Sequence, residues 1–269
     1  EGLRLEIFLK RPLGKTVRSV DADKYAGLST AYARLERYDD AVDALQKAIQ
    51  GQPQRADYFF RLGMLLIKQR NFNEAIKAFK DAIEHDPAHY EAYYNLGVLY
   101  VQQGCSAEAA GTFLKATHVR PKESQAYRDL GDAYFAMGEY QQAVEQFEKA
   151  TALSRGDGYS YYRMGCILSE YLGKDQKGLE ALRACLRIQR DFVDAYFQFG
   201  KVCLKLKRYK DAVRAFKEVV RGEPDHVQAQ YHLGFSYLML NDLVSARRQC
   251  DLLRRQDEDL ANNLLLLFP

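Results

Sequence analysis

The chain has 269 residues, 47% of them apolar and 28% charged, so it is long enough to bury a sizeable hydrophobic core. The 39 Lys and Arg nearly balance the 36 Asp and Glu, and a formal charge of +3 argues against a general binder of nucleic acid. No apolar run approaches the roughly 18 residues that span a bilayer, so we expect no membrane span.

The five cysteines lack the spacing of a disulfide scaffold, so we expect reduced thiols. Reduced thiols are typical of a cytoplasmic protein. The first residue is Glu1 rather than methionine, which leaves open an excised signal peptide or a chain that is a fragment of a longer protein.

The first segment, residues 1–21, lies outside the repeating part of the chain. Its apolar residues alternate like a strand only from Leu3 to Ile7, and Pro12 and Gly14 end the pattern. We expect a short docked or irregular segment here.

From residue 22 onward the chain repeats with a period of about 34 residues. A glycine recurs at successive gaps of 34, 34, 34, 35 and 34 residues, and a second small residue follows each one by 12 or 13 residues. The glycines are Gly63, Gly97, Gly131, Gly165, Gly200 and Gly234. A fixed period between 20 and 50 residues indicates a repeat architecture.

Each repeat is predicted to form two antiparallel helices. In the first helix the apolar residues follow helical spacing, as in Tyr93, Leu96 and Tyr100. The recurring glycine and the alanine after it have no bulk, so they let the two helices approach closely. Glycine inside a helix costs about 1 kcal/mol, and its recurrence there therefore points to packing.

This pattern resembles the tetratricopeptide repeat. The aromatic, Leu-Gly, aliphatic or Tyr, Ala, Phe, Ala and Pro positions of the family are almost complete in one unit: Phe59, Leu62, Gly63, Leu66, Ala75, Phe79, Ala82 and Pro87. The resemblance implies an all-α fold, a right-handed superhelical α-solenoid of seven helix pairs. The predicted units are residues 22–55, 56–89, 90–123, 124–157, 158–192, 193–226 and 227–260.

Two departures from the pattern are predicted to have structural consequences. A glycine-rich junction at 154–158 and an extra residue near Gly173 indicate either a flexible joint or an altered turn without motion. A short amphipathic helix within residues 257–269 is expected to cap the last unit, with Leu264 and Leu267 among the residues on its packed face.

The sequence contains no recognisable catalytic centre, so we expect no enzyme, no cofactor and no metal. Gly14-Lys15-Thr16 resembles the end of a phosphate-binding loop, but Leu9 stands where that loop needs its first glycine. His85 and His89 are separated by Pro87 and so do not share a regular helical face. No carboxylate pairs with a recognisable acid–base partner.

The first helices of such a solenoid line its concave wall, where we expect a binding groove. Inward-facing positions combine aromatic rings with polar groups, which suits an extended peptide or a helix. The candidate partner-binding residues are Phe60, Arg61, Tyr94, Asn95, Arg128, Tyr162, Arg163, Lys201 and Tyr231. The alternative is that the aromatic residues only pack against the neighbouring unit. We expect Arg128→Glu with Arg163→Glu to abolish partner capture and leave melting unchanged.

These features predict a non-catalytic interaction scaffold that binds a protein segment and helps to assemble or localise a complex. The alternative is a substrate-recruiting or regulatory arm of a larger enzyme. Nucleic acid is not an expected partner, because carboxylates such as Asp129 and Asp132 share the face with the basic residues. Self-association through the terminal units remains a further possibility.

Overall fold

The structure of the chain is a computed structural model that describes residues 19–268, with side chains from residue 21 onward. The prediction of a docked or irregular segment therefore lies mostly outside the described residues. Within the described range all regular secondary structure is α-helical, and it comprises fifteen helices. None of these helices is long and apolar enough to cross a membrane.

The chain divides into two compact units, with the division between Pro121 and Lys122. Unit 1 contains three helix pairs. Its first helices are α1 (Ser19–Arg34), α3 (Ala56–Lys68) and α5 (Tyr90–Gln102), and its second helices are α2 (Tyr38–Gly51), α4 (Phe72–His85) and α6 (Ser106–Val119). Helix α1 begins three residues before the predicted start of the first repeat at residue 22.

Unit 2 contains four helix pairs and a final short helix. Its first helices are α7 (Ser124–Ala136), α9 (Gly158–Glu170), α11 (Val193–Lys205) and α13 (Val227–Met239). Its second helices are α8 (Tyr140–Leu153), α10 (Asp175–Ile188), α12 (Tyr209–Gly222) and α14 (Leu243–Leu253), and α15 (Glu258–Leu265) follows. In both units each pair packs on the next in chain order, which confirms the predicted all-α solenoid of helix pairs.

In every helix pair, the turn between the two helices contains one residue whose backbone is in the left-handed region of positive φ. These residues are Glu36, Arg70, Gly104, Gly138, Gly173, Lys207 and Asn241, with φ between 55° and 79°. Only three of them are glycine, although the left-handed region costs other residues about 1–2 kcal/mol. The same backbone geometry is therefore built seven times from different residues, because the stacking of the two helices demands it.

The recurring glycine faces a buried aromatic ring of the second helix. A Cβ on Gly63 would come within 2.6 Å of the ring of Phe79, and one on Gly200 would come equally close to Phe216. Both rings are completely buried. The predicted close approach is therefore an approach of backbone to ring, and the missing Cβ makes room for the ring.

In the repeat that contains the extra residue, 158–192, different residues pack between the two helices. Here Leu182 replaces the aromatic residue opposite Gly165, and a Cβ on Gly178 would lie 2.9 Å from the carbonyl oxygen of Gly165. Glycine at 178 thus lets the backbones of α9 and α10 touch, which explains its presence where other repeats have alanine.

The last helix, α15, packs against α13 and α14 as a cap. The Asp257 carboxylate accepts a hydrogen bond from the Leu260 amide at 2.9 Å, which satisfies a free donor at the start of the helix. Leu264 is buried, and its Cδ2 lies 2.5 Å from where a Cβ on Gly234 would be. It takes the place that a phenylalanine occupies in other repeats. Leu267, predicted for the same face, lies beyond the helix and is 46% exposed.

Candidate functional site

The side chains expected to bind a partner lie on the surface formed by the first helices, here called the first-helix face of each unit. In unit 1 this face is formed by α1, α3 and α5, and in unit 2 by α7, α9, α11 and α13. The nine predicted residues fall into two groups accordingly. Four lie in unit 1 and five in unit 2.

The predicted aromatic residues pack against rings of their own repeat. The ring of Phe60 lies with its centroid 4.9 Å from that of His89 and 5.8 Å from that of Phe79. The ring of Tyr94 stacks on Tyr90, and its centroid lies 5.8 Å from that of Phe113. All these aromatic candidates are half-buried. They make contacts between the two helices of one repeat.

The aromatic candidates of unit 2 also pack against rings of their own repeat. The rings of Tyr162 and Phe192 have centroids 4.8 Å apart, and burial raises the pKa of the Tyr162 hydroxyl well above its ordinary value. Tyr231 meets His232 edge-on, with centroids 5.5 Å apart, and packs against the cluster under the final cap.

Arg61 and Asn95 bond to neighbouring groups of the scaffold in unit 1. The Arg61 guanidinium donates to the Ala26 carbonyl and to Thr30 Oγ1, each at 2.6 Å, and so joins α3 to α1. The Asn95 amide donates to the Glu91 carbonyl in its own helix at 2.8 Å. Arg61 thus fixes one wall of the space between the two helices.

That space is a cleft of about 270 Å³ on the first-helix face of unit 1. Its apolar lining includes Ala33, Met64 and Leu65, and its rim carries Arg61 and Lys68. Met64 is 36% exposed, so its apolar side chain is accessible within the cleft. A cleft with an apolar floor and a cationic rim can hold an apolar side chain and an anionic group together.

Two cations on this face have no ion-pair partner among the residues that the structure describes. Arg34 and Lys68 occupy corresponding places in the last turns of α1 and α3, and both are exposed. They are therefore available to a ligand, whereas the Arg61 guanidinium already has two acceptors in the scaffold.

In unit 2 two of the three charged candidates, Arg163 and Lys201, are paired with carboxylates of the preceding repeat. Arg163 Nε lies 2.9 Å from Asp132 Oδ1, and the guanidinium lies over the Phe135 ring at 4.2 Å. The Tyr159 hydroxyl donates to Asp132 Oδ2 at 2.9 Å. Burial raises the pKa of Asp132, and the neighbouring charge of Arg163 opposes this effect.

The side chains of Arg128 and Lys201 also contact polar groups and aromatic rings of the protein itself. The Arg128 guanidinium donates to Gln125 Oε1 in its own helix and lies 5.6 Å from the ring centroid of Tyr159. Lys201 Nζ lies 2.8 Å from Glu170 Oε1 and 5.8 Å from the ring centroid of Phe197. The cationic candidates of unit 2 thus belong to contacts that hold repeats together.

This pairing changes the interpretation of the charge-reversal experiment. Glu at position 163 would face the half-buried Asp132 carboxylate, so the geometry argues against the expectation that melting stays unchanged. Tyr159 and Met64 are not among the partner-binding residues predicted from the sequence. The signal that was available for Tyr159 was its place in an inward-facing register position.

A half-buried histidine also lies near this face in unit 2. The ring of His232 stacks on Phe216, with centroids 5.3 Å apart, and its centroid is 5.9 Å from that of Phe197. Burial, together with the nearby charges of Lys201 and His226, lowers the pKa of His232 to about 4. His232 is therefore neutral at neutral pH. The described residues contain no cluster of His, Cys, Asp and Glu that could hold a metal ion.

Sequence profiles described as tetratricopeptide repeat match most of the chain. The matched residues are 26–70, 60–118, 90–156, 158–192 and 204–265. A search among curated proteins gave no match.

Solved structures with the same fold include three repeat proteins. YrrB, described as a TPR protein with an unusual peptide-binding site, is 24% identical over 71% of this chain and 99% of its own, with a TM-score of 0.64. A MamA protein is 25% identical over 66% of this chain and 96% of its own, with a TM-score of 0.60. The C-terminal part of a TPR repeat-containing protein from Cytophaga hutchinsonii is 13% identical over 88% of this chain and 98% of its own, with a TM-score of 0.71.

Proposed function

The chain belongs to the tetratricopeptide repeat family, a fold of protein-interaction scaffolds, and we propose that the first-helix face of unit 1 binds an acidic segment of a partner protein. The segment is extended or helical, and binding it serves the assembly or localisation of a complex without catalysis. The observation that carries this proposal is the cleft between α1 and α3, because it combines an apolar floor with Lys68, a cation that forms no ion pair among the described residues.

The cleft supports recognition of a side chain together with a charge. Met64 and Leu65 offer apolar contact, and methionine adapts to side chains of different shape. Lys68 on the rim and Arg34 nearby offer donors to carboxylates of the ligand, and hydrogen bonds to charged groups are about twice as strong as neutral ones. The partner segment is therefore expected to carry an apolar residue flanked by Asp or Glu.

The corresponding face of unit 2 is less suited to an acidic ligand. Its cations Arg163 and Lys201 are neutralised by Asp132 and Glu170 of preceding helices. A ligand carboxylate would have to displace a protein carboxylate from each of them. Charge-based recognition is therefore assigned to unit 1.

The proposal is tested with Arg34→Gln and Lys68→Gln combined in the full chain. Glutamine removes both charges without placing a carboxylate at a helix C-terminus, where it would be unfavourable. The matched control is Lys115→Gln with Arg155→Gln, which removes the same charge at exposed positions away from the cleft. Affinity capture with mass spectrometry identifies the partner, and synthetic segments of that partner are then titrated against all three proteins.

The expected result is a loss of affinity of about tenfold or more in the double variant, and a weaker salt dependence, with the control unchanged. Equal affinity of the wild type and the double variant for the captured partner would overturn the proposal. Circular dichroism of each variant distinguishes lost binding from lost folding.

A further inference from the structure

A second cleft lies on the other side of unit 1, between the second helices α2 and α4. It has a volume of about 310 Å³ and is mainly apolar. Its floor is formed by Phe59, Leu62 and Leu66 of α3, and Val42 and Ile49 of α2 line one wall. Phe59, Leu62 and Ile49 are only half-buried, so apolar surface remains open to a ligand.

The other wall carries Lys77 and Asp81 of α4, and the Asp81 carboxylate forms no ion pair among the described residues. Asp81 of α4 lines the cleft, and no cationic group of the described residues lies within ion-pair distance of it. Burial raises the pKa of Asp81, and the charge of Lys77 partly opposes this effect. A cation that approached Asp81 within the cleft would relieve the cost of its burial.

The same position in unit 2 provides a matched comparison. A cleft lined by Arg183, Phe199 and Glu218 lies between α10 and α12, and each of these residues stands 137 positions after its counterpart in unit 1. The Arg183 guanidinium covers the Phe199 ring at 5.9 Å, and Glu218 is paired with Arg221. In unit 2 the protein itself covers part of the Phe199 ring and pairs the Glu218 carboxylate. In unit 1 the counterpart of Arg183 is the uncharged Gln46, and Asp81 has no ion pair among the described residues.

The start of α1 belongs to a hydrophobic cluster that borders the unit 1 cleft. Ala22, in the first turn of α1, packs in one cluster with Ala48 and Tyr58, the residues next to Ile49 and Phe59 of the cleft. The Tyr58 hydroxyl also donates to Asp23 Oδ1 at 2.7 Å. Ile49, which lines the cleft, packs against the same cluster, so the chain enters α1 close to this part of the cleft.

We propose that this cleft binds residues 3–11 of the same chain, with apolar side chains on its floor and a cation at Asp81. The segment reads Leu-Arg-Leu-Glu-Ile-Phe-Leu-Lys-Arg, so it supplies apolar residues followed directly by Lys10 and Arg11. Lys10 precedes Ser19 by nine residues, which span up to about 30 Å, and the cleft wall from Val42 to Gln50 is about 12 Å long.

Covalent connection favours this occupant over a partner of similar chemistry. A segment joined to the chain beside its site has an effective concentration in the millimolar range, so even weak contacts hold it in place. The interaction concerns the face opposite the proposed partner site and does not depend on that function. It would place a strap across α2, α3 and α4 that covers Phe59 and Leu62.

Disulfide trapping in the full chain tests the proposal. The trapping variant combines Ile7→Cys with Gln46→Cys on the cleft wall, and the control combines Ile7→Cys with Arg183→Cys at the equivalent position of unit 2. Both carry Cys105→Ser, since Cys105 is a half-buried thiol in a turn. The rate of disulfide formation under mild oxidation is followed on non-reducing gels, and mass spectrometry identifies the linked peptides.

The expected result is a disulfide within one chain that forms at least about tenfold faster in the trapping variant than in the control. Adding Asp81→Lys should slow this trapping severalfold, whereas Glu218→Lys should not. Equal rates in the two variants, or a disulfide found only between two chains, would overturn the proposal. Circular dichroism before oxidation shows that every variant is folded.

Discussion

Arg163 of α9 and Asp132 of α7 form an ion pair between the first helices of two successive repeats, with Nε 2.9 Å from Oδ1. The Arg163 guanidinium also lies over Phe135, and Tyr159 donates to the other oxygen of Asp132. Arg163, which was predicted from the sequence to bind a partner, thus joins one repeat to the next. This pairing makes stability, rather than partner binding, the property most sensitive to position 163.

Charge reversal at Arg163 should destabilise unit 2. Arg163→Glu would place two carboxylates together in a half-buried position, and we expect the free energy of unfolding to fall by on the order of 2 kcal/mol. Urea titrations followed by circular dichroism measure the change. Arg155→Glu, in an exposed turn residue with no ion pair among the described residues, is the control and should change little. An unchanged unfolding midpoint for Arg163→Glu would show that the pair contributes nothing.

The recurring glycines should tolerate no added methyl group. In Gly63→Ala the new Cβ would meet the Phe79 ring at 2.6 Å, and we expect a loss of about 1–3 kcal/mol from overpacking. Gly111→Ala is the matched control, because a Cβ on Gly111 in α6 would meet no atom within 4 Å. Alanine there should stabilise by up to about 1 kcal/mol through helix propensity. Thermal and urea unfolding measure both changes: the free energy of unfolding should fall for Gly63→Ala and rise for Gly111→Ala.

The left-handed turn residues offer a stabilising change. Lys207 has φ of 55°, and Lys207→Gly should stabilise the turn between α11 and α12 by about 1 kcal/mol, because glycine adopts this region without strain. Gly138→Ala in the equivalent turn should destabilise by a similar amount, since φ is 79° and no neighbour lies within 4 Å of a Cβ. The unfolding midpoints of the two variants should move in opposite directions, and a shift in the same direction would contradict the backbone explanation.

Stability should fall on mild acidification because of His232. Its pKa is about 4 in the folded chain and about 6.5 in the unfolded chain, so between these values the unfolded state binds the additional proton. The free energy of unfolding should therefore decrease from pH 7 towards pH 4, by on the order of 2 kcal/mol. Urea titrations at pH 7 and pH 5 compare the wild type with His232→Gln, which should lose part of this dependence. His118→Gln, at an exposed position, is the control.

The architecture could be predicted well from the sequence because its cause is local. The 34-residue period and the spacing within each first helix predicted the helix pairs, and glycine at positions such as Gly63 indicated close packing. The repeat pattern did not predict which side chain fills the space beside every recurring glycine. At Gly234 it is Leu264 from the final cap, because the aromatic position of that repeat is Cys250. Packing of a later helix, rather than the repeat pattern, supplies the missing bulk.

The sequence by itself determined the helical solenoid, its repeat length and the places where bulk is excluded, since these follow from residue size and helical periodicity along one chain. The tertiary structure decided which inward-facing side chains are available. Arg163 and Lys201 meet carboxylates 31 residues earlier, whereas Lys68 meets none among the described residues. Whether a charge is free depends on the neighbour that stacking brings within about 4 Å, and no spacing within a single repeat contains that information.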